Sequence, residues 1–241
     1  MIGLWVRSLV FVAVIYALML LMGVLGLPLL LWSRDLTYAW MKLYCRLVFR
    51  LAWLFCGIET EIRGAVPSDP VLVAAKHQSL LDVLMLFAAL PRPTFVMKRS
   101  LLWAPIFGLY TWRLGTIVVD RAGKGQGERM AHAAEAQGRY DGQIVIYPQG
   151  TRVPPGEVRP YRRGAALIAQ RTGLPVALAA TNAGWFWPRR GVLRHPGRAV
   201  VEFLGRLPPD AQGATLMARI EAEVEAASDR LGAEASTGLK T

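Results

Sequence analysis

The stretch VLVAAKHQSLLD, residues 71–82, indicates the fold class of this chain. Its first five residues are apolar, which predicts a buried strand. Lys76, His77 and Gln78 follow the strand, and the next four residues run from Ser79 to Asp82. A serine with an acidic side chain three residues later is typical of a helix N-terminus. A buried strand that turns directly into a helix is the building unit of α/β proteins.

The same alternation continues toward the C-terminus. Short β-branched runs predict further strands, and helical periodicity appears between them. We therefore expect an α/β domain whose sheet is covered by helices. The expected strands are 71–75, 94–97, 116–119, 144–147, 176–180 and 199–203, and the expected helices are 82–90, 128–137, 164–171 and an amphipathic C-terminal helix from Leu216 to Leu231.

Residues 1–62 have a different character and are expected to form a helical membrane anchor. No charged residue lies between Arg7 and Arg34. Roughly 20 apolar residues span a bilayer core, so this run is long enough to cross a membrane or to dip into one leaflet. The remaining residues, 63–241, are expected to form one domain with a polar, frayed tail from about residue 232.

A second apolar segment, residues 37–58, carries basic side chains at steps of four, which places them on one helical face. These are Lys42, Arg46 and Arg50. Such a helix can lie in the membrane interface with its basic face on lipid phosphates. It can equally pack on the protein's own core with a solvated basic face, and the sequence leaves both arrangements open.

Composition narrows the class of partner. The net charge is +11 and 54% of the residues are hydrophobic. A strongly basic chain indicates an anionic partner. Because the basic residues form no single arm and the chain begins with an apolar run, we expect a lipid surface and no nucleic acid. Cys45 and Cys56 fit neither a metal site nor a disulfide framework, so we expect two buried structural thiols.

His77 is the first choice for a general base. It stands at the carboxyl end of a predicted strand, where α/β sheets build their sites. Asp82, five residues later, is close enough to orient one imidazole nitrogen, so that the other can accept a proton from an alcohol. Asp82 also fits a purely structural role beside Ser79 at the start of the helix. The pair alone is therefore weak support for catalysis.

Two later strands end in arginine. GTIVVDR, residues 115–121, ends in Arg121, and IVIYPQGTR, residues 144–152, ends in Arg152. Arginine offers a bidentate fork to a phosphate, and Gly150 allows backbone N–H groups to approach an anion closely. Each arginine by itself also fits a solvated strand end. Near a general base, the two together predict a site for a phosphorylated alcohol.

At this point the chain resembles the glycerolipid acyltransferase family, which includes the bacterial 1-acyl-sn-glycerol-3-phosphate acyltransferases. Four sequence blocks occur in the family's order over roughly residues 70–205. They are the H-x-x-x-x-D pair at His77 and Asp82, G-x-I-x-x-x-R at 115–121, F-P-E-G-T-R at 147–152, and a proline-containing block at 174–176. One such block is a weak signal, whereas four in order are specific.

Two positions depart from the family pattern. Gln149 stands where the family usually has glutamate, which leaves the role of a charge at that position open. A glutamine can still hold the turn or hydrogen-bond a substrate hydroxyl. Lys76 stands where asparagine is commoner. The histidine and aspartate are both retained, so the resemblance still implies an active enzyme.

The resemblance implies a mixed, mostly parallel sheet flanked by helices, as in glycerol-3-phosphate acyltransferase. It also implies transfer of a fatty acyl group from acyl-CoA or acyl carrier protein to 1-acyl-glycerol-3-phosphate (lysophosphatidic acid), giving phosphatidic acid for phospholipid biosynthesis. His77 and Asp82 are the expected catalytic residues. The expected substrate-binding residues are Arg121, Arg152, Gly150, Thr151, Gln149 and Lys98.

No cofactor and no metal are expected, because the acyl thioester is itself a substrate. The expected location is the bacterial inner membrane, with the catalytic domain facing the cytoplasm and in contact with membrane lipids. Oligomeric state stays open. Two alternatives also stay open: acylation of another lysolipid, such as a lyso-aminolipid without phosphate, and a non-catalytic basic membrane adaptor.

Overall fold

The computed structural model describes residues 2–104, 106–119, 126–136, 142–207 and 213–238. Within these ranges, seven strands lie in one sheet. They are β1 (Ile58–Arg63), β2 (Val71–Ala75), β3 (Pro93–Lys98), β4 (Ile117–Val119), β5 (Gln143–Ile146), β6 (Val176–Thr181) and β7 (Gly197–Arg206). Their order across the sheet is β1-β7-β6-β2-β5-β3-β4.

The helices of the described ranges surround this sheet. They are α1 (Ile2–Leu25), α2 (Leu27–Trp32), α3 (Arg34–Cys56), α4 (Leu80–Ala89), α5 (Phe107–Arg113), α6 (Gln126–Ala136), α7 (Gly164–Thr172), α8 (Ala183–Phe186) and α9 (Gly213–Gly238). A short 3-10 helix, Arg99–Trp103, lies between β3 and α5.

The sheet is mixed and mostly parallel, as expected. Strand β2 pairs in parallel with both β5 and β6, and β3 pairs in parallel with β5 and β4. Strand β1 runs parallel to β7, and only the β6–β7 pair is antiparallel. The carboxyl ends of β2, β3, β4, β5 and β6 therefore meet at one edge of the sheet, where ligands bind in α/β proteins.

Alternating side chains of β2 enter two separate cores. Val71, Val73 and Ala75 pack into the layer that α1, α3, α4 and α8 cover. Leu72 and Ala74 pack into the layer that α6, α7 and α9 cover. Successive side chains of a strand point to opposite faces, so a strand covered on both sides has to be apolar throughout. This explains why residues 71–75, before the turn that contains His77, are all apolar.

The N-terminal segment forms helices that pack on the first layer. Of the described helices, only α1 is long and apolar enough to cross a membrane by length and composition, which is consistent with an anchor. Helix α3 buries one face, including Val48 and Ala52, and Lys42 donates its Nζ to the carbonyls of Leu90 and Pro91 at 2.6 and 3.0 Å. The arrangement observed for this second helix is packing on the protein's own core, while Arg46 and Arg50 remain exposed.

Three features of the fold differ from the sequence predictions. The strand β1 was not predicted, and the expected boundary between residues 62 and 63 falls inside it. The 3-10 helix and α5 were not predicted either. The tail expected to fray from about residue 232 is helical as far as Gly238, because Leu231 and Ala235 are buried and continue the apolar face of α9. Residue 137, the expected end of one helix, lies outside the described residues.

Candidate active site

His77 and Asp82 meet in the turn between β2 and α4. The Nδ1 atom of His77 lies 2.8 Å from Oδ1 of Asp82. The carboxylate is fully buried, and 16% of the histidine side chain is exposed. When Nδ1–H is donated to the carboxylate, the lone pair on Nε2 faces away from it and is available to accept a proton.

The second oxygen of Asp82 fixes the start of α4. Its Oδ2 accepts the backbone N–H groups of Gln78 and Ser79 at 2.8 and 2.6 Å. The Ser79 hydroxyl accepts the N–H of Leu81 at 3.0 Å and donates to the carbonyl of Trp187 at 2.6 Å. The capping role and the orienting role, which the sequence left as alternatives, are therefore carried by different oxygens of one carboxylate.

Tyr147 covers one face of the histidine ring. The two ring centroids are 3.9 Å apart and the planes are inclined by 19°. The Tyr147 hydroxyl is buried near the Asp82 carboxylate, but it makes no hydrogen bond of ordinary geometry with the described residues. Burial, together with the nearby Asp82 carboxylate, raises the pKa of Tyr147 well above its usual range. The phenol therefore stays neutral, and its ring packs against one face of the imidazole.

Backbone hydrogen bonds hold the turn after β5 beside His77. The N–H of Val153 donates to the His77 carbonyl at 2.8 Å, so the backbone of the preceding residue, Arg152, lies close to that of the histidine. Gly150 adopts a left-handed conformation with φ of 68°, and its N–H donates to the Tyr147 carbonyl at 2.8 Å. This N–H group is therefore used inside the turn, and glycine is needed at that position for its backbone conformation.

Basic side chains converge on this turn. Arg152 is half-buried, and its guanidinium makes no hydrogen bond or ion pair with the residues described. The Arg152 carbonyl accepts Nη1 of Arg189 at 2.9 Å. Arg162 lies over Gly150, since a Cβ built there would be 3.6 Å from the Arg162 guanidinium carbon. Arg162 and Arg189 were missed by the sequence analysis. Their only signal is that each belongs to an Arg-Arg pair in a stretch after a strand, at 162–163 and 189–190.

The remaining predicted binding residues fall in different environments. Lys98 is exposed at the carboxyl end of β3, opposite Val119 of β4, on the edge that carries His77. Thr151 is half-buried in the turn. Arg121 lies outside the described residues. Gln149 is only 4% exposed, and its amide faces Glu225 and the Arg159 carbonyl. Direct contact between the Gln149 side chain and a substrate disagrees with that burial.

The family comparison decides the identity of the chain. A family model described as acyltransferase matches residues 57–180, which contain the His77–Asp82 pair and the 147–152 turn. The chain belongs to the acyltransferase family. The predicted enzyme class is thereby confirmed, and the alternative of a non-catalytic adaptor loses its support.

Individual relatives agree with this assignment. The 1-acyl-sn-glycerol-3-phosphate acyltransferase of Pseudomonas aeruginosa is 31% identical over 186 residues, covering 76% of this chain and 72% of that protein. The alpha form from Bos taurus is 34% identical over 176 residues, covering 70% of this chain and 61% of that protein. The chain thus matches less than two thirds of the bovine protein's length.

A solved structure shares the fold. The crystal structure of the 1-acyl-sn-glycerophosphate (LPA) acyltransferase PlsC from Thermotoga maritima superposes with a TM-score of 0.73. The superposition covers 95% of this chain and 96% of that chain, at 21% sequence identity. At that identity the likeness bears on the fold, and it confirms the predicted architecture.

A buried polar network lies directly behind the acyltransferase site. The Nζ of Lys76 is 2.7 and 2.6 Å from the two carboxylate oxygens of Glu225, and only 3% of the Lys76 side chain is exposed. The Tyr161 hydroxyl donates to the same carboxylate at 2.9 Å, and burial together with that carboxylate raises the pKa of Tyr161. No sequence pattern predicts this network, because Lys76 and Glu225 are 149 residues apart.

Neither cysteine of the acyltransferase is placed for chemistry. Cys45 and Cys56 are both buried in α3 with 2% of their surface exposed. Burial raises the pKa of Cys45 to about 12, and it also raises the pKa of Cys56. Since the thiolate is the reactive form, these thiols are poor nucleophiles at neutral pH.

Proposed function

We propose that this acyltransferase moves a fatty acyl group from acyl-CoA or acyl carrier protein to the free hydroxyl of 1-acyl-glycerol-3-phosphate, giving phosphatidic acid. The observation that carries the proposal is the His77–Asp82 hydrogen bond beside the turn of Arg152. The names of the Pseudomonas and bovine relatives support the choice of acceptor.

The reaction is a single displacement. Nε2 of His77 takes the proton of the acceptor hydroxyl while its oxygen attacks the thioester carbonyl. The tetrahedral intermediate then collapses, the C–S bond breaks, and the thiolate leaves with the proton from the imidazolium. Asp82 stabilises the imidazolium and keeps Nδ1 protonated. A positioned base of this kind contributes about 10²–10⁴ in rate.

Arginines at the carboxyl edge are proposed to hold the acceptor phosphate. Arg152 is the main candidate because its guanidinium makes no hydrogen bond or ion pair with the described residues and the N–H of the next residue, Val153, donates to the His77 carbonyl. Arg162 and Arg189 add positive charge at the same turn. Fixing the phosphate places the hydroxyl near the base, and positioning can contribute as much to the rate as the base. The proposed role of Arg121 rests on its sequence block, and that of Lys98 rests on its exposed position at the carboxyl end of β3.

With His77 as the base and Asp82 orienting it, the proposed reaction requires neither a covalent acyl-enzyme nor a bound cofactor. The base activates the acceptor directly, and the leaving group is already a good one because it is a thiol. The most reactive alternative nucleophiles, Cys45 and Cys56, are buried in α3 with raised pKa values.

We place the site at the cytoplasmic face of the bacterial inner membrane. Helix α1 supplies an apolar segment of membrane-spanning length. Basic residues follow it, including Arg34, Arg46 and Arg50, and basic residues are attracted to the anionic lipids of the cytoplasmic leaflet. The acceptor carries one acyl chain and the product carries two, which is consistent with a site beside lipid.

Acyl transfer in detergent micelles tests the proposal. Radiolabelled acyl-CoA and, separately, acyl carrier protein would be offered with lysophosphatidic acid to the wild type and to His77→Ala. His132→Ala is the matched control, because His132 is an exposed histidine on α6. We expect activity with at least one donor, its loss in His77→Ala and its retention in His132→Ala.

Two results would contradict the proposal. Folded wild-type protein that is inactive with both donors would rule out lysophosphatidic acid as the acceptor. Equal rates with a lysolipid that lacks phosphate would favour the lyso-aminolipid alternative and remove the reason for a phosphate site.

A further inference from the structure

We propose that Glu225 of α9 is a positioning residue for both catalytic turns, and that its carboxylate is the reason why position 149 carries an amide. The inference rests on the proposed function, because its main measurement is acyl transfer. It concerns the buried layer behind the site.

One carboxylate bonds to both turns. Oε1 of Glu225 accepts Nζ of Lys76 at 2.7 Å and Nε2 of Gln149 at 3.2 Å. Lys76 immediately precedes His77, and Gln149 lies in the turn that ends in Arg152. Glu225 therefore connects the chain beside the base to the chain beside the proposed phosphate ligand.

Burial makes this connection strong. Lys76 and Gln149 are 3% and 4% exposed, and the Glu225 side chain is 15% exposed. A buried charge is costly unless it is paired and hydrogen-bonded, and Glu225 is the one carboxylate that bonds to Lys76 within the described part of the chain. Loss of the Glu225 charge would leave the lysine unpaired beside His77, so the turn would have to move.

The glutamine at position 149 follows from the same geometry. A glutamate there would bring a second carboxylate to about the 3.2 Å that now separates the Gln149 amide from Glu225. Two carboxylates sharing one site repel each other, and one of them is forced to take up a proton. An amide avoids the repulsion and donates an N–H to Glu225. The network therefore needs one negative charge, and in this chain α9 supplies it.

A charge exchange tests the inference. Gln149→Glu, Glu225→Gln and the double variant would be compared with the wild type. We expect each single change to lower kcat/KM by about 10- to 100-fold, because each disturbs a largely buried charge network. The double variant restores one carboxylate and one amide around Lys76, and we expect it to recover to within about tenfold of the wild type.

The separate kinetic constants distinguish positioning from a loss of folded protein. Gln149→Glu should raise the KM of the acceptor more than the KM of the donor, because its turn carries Arg152. A change that only reduced the amount of folded enzyme would lower kcat and leave both KM values unchanged. Glu223→Gln, on the exposed face of the same helix, is the matched control and should leave kcat and KM unchanged.

Every outcome bears on the inference. Wild-type activity in Gln149→Glu, or losses that simply multiply in a folded double variant, would overturn it. If a single variant does not fold, a double variant that folds supports the inference and one that does not fold overturns it. If the wild type itself is inactive, the proposed function has failed, and the same cycle is read in Tm: recovery in the double variant supports the network and additive losses overturn it.

Discussion

The phenol ring of Tyr147 lies against the imidazole of His77, with the ring centroids 3.9 Å apart and the planes inclined by 19°. Asp82 holds the same imidazole at its edge through Nδ1, 2.8 Å away. The two contacts come from the segments that follow β5 and β2, which are neighbouring parallel strands. The turns after these two strands therefore both orient the base before any substrate binds, which is what an efficient site requires.

Tyr147 is expected to act through its ring and not through its hydroxyl. Because the buried hydroxyl makes no hydrogen bond of ordinary geometry with the described residues, Tyr147→Phe should keep kcat within about twofold and should not lower Tm. Tyr147→Leu removes the flat surface that the imidazole lies on, and we expect kcat to fall about tenfold or more. Initial rates and thermal unfolding of both variants check this. A large loss in Tyr147→Phe would show that the hydroxyl takes part in the reaction.

Asp82→Asn separates the two functions of the carboxylate. The substitution removes the charge that stabilises the imidazolium and permits the wrong histidine tautomer, so kcat should fall by about 10²–10⁴. Ser79→Ala is the comparison, because it also disturbs the start of α4 but does not contact His77 through its side chain. We expect Ser79→Ala to lower Tm with a much smaller effect on kcat. Similar kcat values for the two variants would mean that Asp82 is only a helix cap.

The parts of this site that could be predicted from the sequence are local. His77 and Asp82 are five residues apart across one strand-to-helix turn, so a short window contains both their types and their spacing. Gly150 and Arg152 likewise follow a strand directly. The glycine predicts the turn. The meeting of the strand ends at one edge follows from the parallel sheet.

The parts that could not be predicted depend on pairing over long distances. The strand β1 was missed because Ile58–Arg63 alternates charged and apolar residues at the edge of the sheet, and its partner β7 begins at Gly197. In the sequence, nothing distinguishes Glu225 from the other glutamates of its amphipathic helix. Only the folded chain brings it into contact with Lys76. The glutamine at 149 has a physical explanation only once that contact is known.

Arg152 should bind the acceptor and not the donor. Replacement by alanine removes charge-assisted hydrogen bonds to phosphate, and we expect the KM for lysophosphatidic acid to rise about 10- to 100-fold with the KM for the acyl donor nearly unchanged. Arg152→Lys should recover only part of this loss, because lysine lacks the planar fork. Arg206→Ala is a matched control, since Arg206 forms an exposed ion pair with Asp69. Equal rises in both KM values would argue against a phosphate ligand.

A second apolar surface next to α1 is expected to contact lipid. Trp103 and Trp112 are 85% and 76% exposed. Trp103 ends the 3-10 helix and Trp112 lies on α5. Helix α5 is held against α1, because the Tyr110 hydroxyl donates to the carbonyl of Gly23 at 3.0 Å. Tryptophan is enriched where a membrane meets water, so these side chains are expected to lie at the lipid headgroups.

Quenching of tryptophan fluorescence by brominated lipids measures this contact in reconstituted vesicles. Replacing Trp103 and Trp112 together by phenylalanine should reduce the quenched fraction of the emission, because two lipid-exposed fluorophores are lost. Trp187→Phe is the opposite control: Trp187 is only 3% exposed, so its removal should raise the quenched fraction. Since Trp103 and Trp112 are exposed, Tm should change little in their double variant. A quenched fraction that stays the same without Trp103 and Trp112 would place this surface in water, and membrane contact would then be confined to the N-terminal helices.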